Sequence, residues 1–216
     1  MADRLYWDTV KPLLKGTLTS LMKSDLFQPF RLVGGTSLSL QLDHRMSDDI
    51  DLFTDHPYGS VDFQVIDKFL RESFPYVSDL ANALIGIGVS YLVGDSKDDV
   101  VKLDLYYTDL FIQPPLQIGS HRLATVEEIV AMKIDIVQRK ARKKDFWDIH
   151  EFLSFFSIAQ MIALHEKRYP FSHDETRIRT NFTDFSRADQ DFDPICLKGK
   201  YWELIKLDIT QALLTN

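Results

Sequence analysis

The first part of the chain alternates between helical and strand-like patterns of apolar residues. Apolar side chains recur every three or four positions over residues 5–22 and again over residues 61–74, which predicts two amphipathic helices. Between them, the run 30–33 predicts a short strand that stops at Gly34-Gly35, and residues 36–42 predict another helix. A segment in which apolar residues follow both helical and strand spacing indicates helices packed on a sheet.

Further strands are predicted in the same part of the chain. Residues 50–53 alternate apolar and polar side chains, which is typical of a strand with one face in the core. Residues 84–93 and 100–107 predict a pair of strands, joined by the turn-forming segment 94–99.

The pattern becomes helical beyond Pro114-Pro115. Thr125 is a typical helix N-cap and Glu128 stands where a capping box places its acid, so a helix is predicted to begin there. The other predicted helices cover residues 145–156, 158–167, 175–185 and 201–214. The sequence therefore predicts an α+β fold, with a mixed-sheet domain over residues 1–115 and a helical domain over residues 116–216.

Composition and charge exclude several classes of protein. Of the 216 residues, 45% are hydrophobic and 26% are charged, as in ordinary globular domains. The net charge of −7 argues against a protein that coats nucleic acid, and no apolar window approaches the length of a membrane span. The single cysteine, Cys196, excludes an internal disulfide and disfavours structural zinc. Because residues 1–4 lack a signal-peptide pattern, we expect a cytoplasmic protein.

One segment carries a local excess of positive charge. Five of the six residues 139–144 are lysine or arginine. Such a run is most often a solvated face, and the alternative is a surface that guides an RNA acceptor through phosphate contacts. Both interpretations stay open at the level of the sequence.

Three acidic residues in predicted strands form the main candidate site. Asp49 and Asp51 flank Ile50, so in a strand both carboxylates face one side while Ile50 faces the core. Asp104 has an apolar residue on each side in another predicted strand. If the two strands are neighbours, three carboxylates converge on one face. Taken singly, each acid fits a solvated strand position as well.

Converging carboxylates need a compensating positive charge. Two like unit charges about 4 Å apart repel by about 1 kcal/mol in water, and by more where water is excluded. A hard divalent cation such as Mg²⁺ compensates best, since it prefers carboxylate and phosphate oxygens. We therefore predict that Asp49, Asp51 and Asp104 are catalytic and hold one or two Mg²⁺ ions, with Asp104 also placed to take a proton from an acceptor.

The glycine pair suggests where a triphosphate binds. Glycines at a strand–helix junction allow close approach of the backbone, and the first N–H groups of the helix bind phosphate. We predict that Gly34, Gly35 and the hydroxyls of Thr36 and Ser37 bind a nucleoside triphosphate. The spacing matches neither the P-loop nor the Rossmann fingerprint, which excludes both of those classes.

The order of these motifs resembles a known family. Residues 34–40, followed by residues 44–53, look like the first motif of the AbiEii/AbiGii toxin family, whose members are DNA-polymerase-β-like nucleotidyltransferases. Residues 102–105 resemble the second motif, which carries the third carboxylate. The resemblance spans roughly residues 28–205.

A third, helical motif extends the resemblance. Lys133, Asp145 and Asp148 look like this motif, and residues 191–194 look like the C-terminal region of the family. The resemblance implies that Lys133 pairs with the phosphates and that Arg45 serves the phosphates or the acid cluster. It implies that Asp145 orients Lys133 or meets the nucleotide. It also implies a polymerase-β-like fold with the nucleotide in a cleft between its two domains.

The resemblance further implies substrates and partners. The substrate is a nucleoside triphosphate, GTP in some family members, and some members modify tRNA. Family members act as toxins of toxin–antitoxin and abortive-infection systems, so an antitoxin protein is an expected partner.

Other classes of function stay open. One is a nucleotide-binding regulator without turnover, against which the intact Asp49, Asp51 and Asp104 speak. Another is an interaction protein that acts by binding an antitoxin partner, whose effect Asp51→Asn would leave unchanged. Within the enzyme class, a protein-modifying adenylyltransferase is the alternative to an enzyme that modifies tRNA.

Overall fold

The computed structural model describes residues 4–78 and 84–215, so the N-terminal residues 1–3 lie outside it. The chain forms two compact units. Unit 1 takes the described parts of Met1–Gln41, Ser47–Leu110 and Pro115–Ala124, and unit 2 takes those of Leu42–Met46, Phe111–Pro114 and Thr125–Asn216. That two domains meet at residue 115 stays a prediction.

Unit 1 is built on a mixed sheet, to which its described residues contribute eight strands. They are β1 (Arg31–Leu32), β2 (Asp49–Thr54), β3 (Tyr76–Val77), β4 (Leu84–Ile85), β5 (Gly88–Ser96), β6 (Asp99–Tyr107), β7 (Leu116–Ile118) and β8 (His121–Leu123). Their order is β3-β5-β6-β2-β1-β8-β7, with β4 paired to β5. The pairs β2–β6 and β1–β8 are parallel and the others are antiparallel. The predicted mixed sheet is confirmed.

Two of these strands lie where a helical region was predicted. β7 and β8 fall within residues 116–123, and β8 pairs with β1 at Leu32 and Leu123. Each strand has three residues, which is too short for an apolar period to reveal. The assignment of residues 116–123 to a helical part is therefore wrong.

Helices cover one face of the sheet. Unit 1 contains α1 (Pro12–Lys23), α2 (Gly34–Leu42) and α3 (Phe63–Ser73). Leucines of α1 and α3 join the buried residues of β2, β5 and β6 in one hydrophobic cluster. Along β2, burial alternates strictly, with residues 50, 52 and 54 buried and residues 49, 51 and 53 only partly so. The apolar side chains thus fix which face of the sheet its acids occupy.

Unit 2 is helical. Its helices are α4 (Val126–Gln138), α5 (Lys143–Phe152), α6 (Ile158–Arg168), α7 (Glu175–Asn181) and α8 (Trp202–Leu214). α4 contacts α5, α6 and α7, while α8 packs on α5, where Trp147 and Trp202 stack. Along the described part of the chain, no helix has both the length and the apolar character needed to cross a membrane.

The start of α4 differs from the predicted capping box. Thr125 does cap the helix, because its hydroxyl accepts the N–H of Glu128 at 3.3 Å. The Glu128 carboxylate instead accepts the N–H groups of Ile112 and Gln113, at 2.8 and 3.1 Å, and pairs with the buried Arg168. A tertiary partner has replaced the local one, so the capping-box prediction is wrong.

Truncation of the sheet core should be far more costly than truncation on its other face. Leu103→Ala, at a fully buried position of β6, should lower the free energy of unfolding by about 2–5 kcal/mol, because it leaves a cavity. Leu92→Ala, at a position of β5 that is 42% exposed, should cost less than about 1 kcal/mol. Urea unfolding measures both. Equal losses would contradict the assignment of the two faces.

Candidate active site

The acids of β2 and β6 lie side by side. In the parallel register of these strands, Asp51 is opposite Asp104 and Asp49 is opposite Lys102. The residues between them, Ile50 among others, are buried on the other face. The condition set by the sequence, that the two acidic strands be neighbours, is therefore met.

A lysine already compensates part of this negative charge. The Lys102 ammonium donates a hydrogen bond to Oδ2 of Asp104, two residues further along β6. Burial lowers the pKa of Lys102, but the hydrogen bond and charge of Asp104 and the charges of Asp51 and Asp49 raise this pKa above its ordinary value. Lys102 is thus held in its charged form.

The donor set fits a hard divalent cation in its chemistry. All donors are carboxylate oxygens, and Oδ1 of Asp104 is buried without a hydrogen-bond partner in the described part of the chain. Such an unmatched buried acceptor is costly unless a ligand completes it. As the side chains stand, no group of three or more His, Cys, Asp or Glu residues within 4–78 and 84–215 is arranged to hold a metal ion.

Gly34 is required by the site for two reasons. Its φ is +69°, a conformation in which a side chain is strained. A Cβ atom built there would lie 2.6 Å from Oδ2 of Asp51. The backbone of Val33 also donates to the carbonyl of Asp51 at 2.9 Å. The glycine therefore lets the start of α2 approach the acid-bearing strand closely.

The hydroxyls of Thr36 and Ser37 face protein groups. Thr36, 1% exposed, bonds to the carbonyl of Asp49 and lies 2.8 Å from the hydroxyl of Ser47. The Ser37 hydroxyl is fully buried and accepts the amide N–H of Gln41 at 3.1 Å. The bond of Thr36 ties α2 to β2, and the bond of Ser37 lies within α2. The predicted phosphate contacts of the two hydroxyls remain a prediction.

A buried cluster of charges organises unit 2. Asp148, fully buried on α5, receives Arg45 through Nε at 2.7 Å and Nη2 at 2.9 Å. His44 Nε2 lies 2.8 Å from the same carboxylate. Lys133 on α4 bonds to Asp145 at 2.6 Å and lies 2.7 Å from Asp148. The formal charges of the two cations and two carboxylates cancel.

The cluster keeps its charged state. Burial raises the pKa of Asp148, but the charges of Arg45 and Lys133 and the hydrogen bonds from His44 and Arg45 bring this pKa well below its ordinary value. Burial lowers the pKa of Lys133, yet the charges of Asp145 and Asp148 leave it raised. A buried charge is tolerated because it is paired and hydrogen-bonded.

Two residues were not assigned roles from the sequence. Lys102 and Asp148 lie inside the matched motifs. The Asp148 partner Arg45 is distant in sequence, whereas Asp104 is only two residues from Lys102. A signal was present, since Lys102 shares a face with Asp104 at strand spacing and Asp148 shares a face with Asp145 at helical spacing. The predicted link between Asp145 and Lys133 is present as a direct ion pair.

The basic run is matched by acids within unit 2. Its ion pairs include Arg139–Asp135, Lys140–Asp184, Arg142–Asp191 and Lys143–Asp193. Much of the local charge excess is therefore cancelled. This geometry favours a structural role over an RNA-guiding surface.

The architecture of unit 1 and its acid-bearing strands define a nucleotidyltransferase fold. JHP933 of Helicobacter pylori has a similar structure, with a TM-score of 0.58 and 17% identity over 93% of this chain and 89% of that chain. MenT4, a nucleotidyltransferase toxin of Mycobacterium tuberculosis H37Rv, gives a TM-score of 0.57 and 17% identity over 92% of this chain and 80% of that chain.

The family follows from the sequence match. Residues 17–213 match the family described as nucleotidyl transferase AbiEii toxin of type IV toxin–antitoxin systems, and the chain belongs to this family. The predicted family and fold class are confirmed. An uncharacterized protein of Aquifex aeolicus is 27% identical over 135 residues, which are 61% of each protein. The match thus spans less than two thirds of that relative's length.

The role of Gly34 can be tested against a glycine with the same strain. Gly34→Ala and Gly119→Ala both place a side chain at positive φ, which should cost about 1–2 kcal/mol of unfolding free energy. Only Gly34→Ala also meets the Asp51 carboxylate, which must turn aside, so it should lose about 0.5–1.5 kcal/mol more, the cost of an off-rotamer side chain. Urea titrations measure both losses. Equal values would contradict the close approach of Gly34 and Asp51.

Neutralising the centre of the buried cluster should strongly destabilise the protein. Asp148→Asn leaves Arg45 and Lys133 with one buried carboxylate, and should cost about 3–5 kcal/mol. Asp208→Asn, which breaks the half-exposed pair with His150, should cost less than about 1 kcal/mol. Urea unfolding at neutral pH compares the two.

The Asp148 carboxylate should also make the free energy of unfolding depend on pH. Its folded-state pKa lies well below the ordinary value of 3.8, so its contribution is present above pH 3.8 and is lost as the pH falls through the folded pKa. Urea midpoints measured downwards from pH 6 should fall in the wild type. In Asp148→Asn this part of the fall should be missing, and an unchanged slope would refute the assignment.

Proposed function

We propose that this protein transfers a nucleoside monophosphate from a nucleoside triphosphate to a hydroxyl group of an acceptor. The observation that carries the proposal is the register of β2 and β6, which sets Asp51 beside Asp104 on the solvent-facing side of the sheet. At Gly34, the start of α2, a Cβ atom would meet the Asp51 carboxylate. Acids and a helix N-terminus thus occur together within unit 1.

A divalent cation, Mg²⁺ in our proposal, would be held by Asp49, Asp51 and Asp104. When bound, it would supply positive charge to the phosphate oxygens as they develop charge in the transition state. The support for this assignment is the all-carboxylate donor set and the unmatched Oδ1 of Asp104.

The chain's own groups bind and orient the triphosphate. The first N–H groups of a helix lack partners within it and attract an anion, and in α2 these groups begin at Gly34 and Gly35. Thr36 holds this helix start against β2 through its bond to Asp49. In this arrangement the glycine backbone, rather than the buried hydroxyls, contacts the phosphates.

The reaction exchanges one phosphorus–oxygen bond for another. The acceptor oxygen attacks the α-phosphorus, the bond from that phosphorus to the bridging oxygen breaks, and pyrophosphate leaves with the bonding electrons. The acceptor's proton passes to a carboxylate, and we assign Asp104 to this role. Catalysis comes chiefly from positioning and from charge stabilisation.

Lys133 keeps capacity for a phosphate oxygen. Its ammonium has three N–H donors, of which Asp145 accepts one, and Asp148 lies 2.7 Å away as an ion-pair partner. We assign a remaining donor to the nucleotide. Asp145 and Asp148 are then positioning residues, and Arg45 keeps Asp148 charged.

We extend the proposal to a toxin role with tRNA as the acceptor, GTP among the candidate nucleotides and an antitoxin protein as the partner. The support for the toxin role and the antitoxin is the family, described as toxins of type IV toxin–antitoxin systems, and the similar fold of MenT4, a nucleotidyltransferase toxin. The tRNA acceptor and GTP rest on the resemblance to the family alone. The alternative acceptor is a protein, and the experiment must distinguish transfer to protein from transfer to RNA.

The test follows label from the α-phosphate. Wild type is incubated with Mg²⁺, total bacterial RNA, cell protein and each α-phosphate-labelled nucleoside triphosphate in turn. Label should move to tRNA-sized RNA. Asp49→Asn/Asp51→Asn should lower the rate by about two orders of magnitude or more, as expected when transition-state charge loses its stabilising group.

The matched control is Asp48→Asn. Asp48 adjoins the site in sequence, but its side chain is 59% exposed and pairs with Lys11 at the surface, so its loss should leave the transfer rate unchanged. Label on protein instead of RNA would support the protein-modifying alternative. Absence of transfer to RNA and to protein alike would overturn the catalytic proposal.

A further inference from the structure

Lys102 lies on the acid-bearing face of the sheet, and the proposed chemistry gives it no role. Its Cα is paired in register with Asp49, and its ammonium bonds to Asp104. The side chain is 48% exposed, so a ligand arriving from solvent can compete for this contact.

Three acids share the face of the sheet on which Lys102 lies. In the register of β2 and β6, Asp51 is opposite Asp104 and Asp49 is opposite Lys102. Asp104 also has a buried oxygen, Oδ1, for which the described residues offer no hydrogen-bond partner. Under the proposed function, this face takes up a divalent cation. That cation and the lysine then compete for the Asp104 carboxylate.

We propose that Lys102 is a positioning residue that serves as an internal counterion of the acid face, and that it leaves Asp104 when a divalent cation binds. The inference rests on the proposed function, because it takes Asp49, Asp51 and Asp104 as the cation's ligands. Before the cation arrives, Lys102 holds Asp104 in place against the repulsion of Asp51. The same contact weakens cation binding, since the cation must displace it.

Two opposite effects should follow when the charge of Lys102 is removed. In the absence of divalent cations, Lys102→Met should unfold at a lower urea concentration than wild type, because the acids repel one another without their counterion. The same variant should bind a divalent cation about fivefold to tenfold more tightly, the size expected for one unit charge a few ångströms away in a solvated site. A lysine with a purely structural role would not produce the second effect.

The probe is Mn²⁺, titrated into the full chain and followed by the electron paramagnetic resonance signal of the free ion. The variants are Lys102→Met and Lys102→Gln, which remove the charge with different side chains. Urea unfolding is recorded for each with and without saturating Mn²⁺. Circular dichroism confirms that each variant is folded before titration.

Two controls isolate the position and the charge. Lys102→Arg keeps the positive charge and should bind Mn²⁺ with nearly wild-type affinity. Lys97→Met removes a charge from the exposed turn between β5 and β6, and should also leave the affinity unchanged.

The outcomes separate this inference from the proposed function. Tighter Mn²⁺ binding by both charge-removing variants, but by neither control, supports the role of Lys102. If Asp51→Asn/Asp104→Asn loses Mn²⁺ binding while the Lys102 variants bind as wild type does, the counterion proposal alone is overturned. If that double Asp variant still binds Mn²⁺ with wild-type affinity, the assignment of the cation ligands is wrong, and this inference is lost with it.

Discussion

The parallel pairing of β2 with β6 is the constraint on which the acid face depends. Side chains alternate along both strands, so the burial of Ile50 and Leu103 forces Asp51 and Asp104 to the opposite face. A slip of one residue would turn the carboxylates into the core, where an unpaired charge is very costly. The hydrophobic core therefore determines the geometry of the polar site, and the close approach of Gly34 adds the helix start to it.

The two units manage their buried and half-buried charges differently. On the sheet of unit 1, Asp104 bonds to Lys102 and keeps its buried Oδ1 without a hydrogen-bond partner among the described residues. In the helical unit, Asp148 has cations on both oxygens and the cluster is neutral. An incompletely paired charge suits a group that must bind a ligand, whereas a completely paired one suits a group that holds other side chains in place.

Much of the fold was predictable because its elements are long and periodic. The alternation along 50–53 and the helical spacing of the C-terminal part each reflect burial of one face, which the sequence shows directly. β7 and β8 were missed because three residues hold too little of a period, and their pairing with β1 is long-range. Glu128 was expected to complete a capping box, but its carboxylate binds Arg168 and the backbone of residues 112 and 113 instead.

The sequence by itself determined the family, the α+β class and the candidate acids, since these depend on residue types at fixed local spacing. Tertiary structure alone decided which groups meet. It set Asp51 beside Asp104, turned the Thr36 and Ser37 hydroxyls to protein partners, and placed Lys102 on Asp104. It also gathered Arg45 and Lys133 around Asp148. The physical reason is that a hydrogen bond or an ion pair is defined by distances of about 3 Å, which local spacing does not specify between segments far apart in the chain.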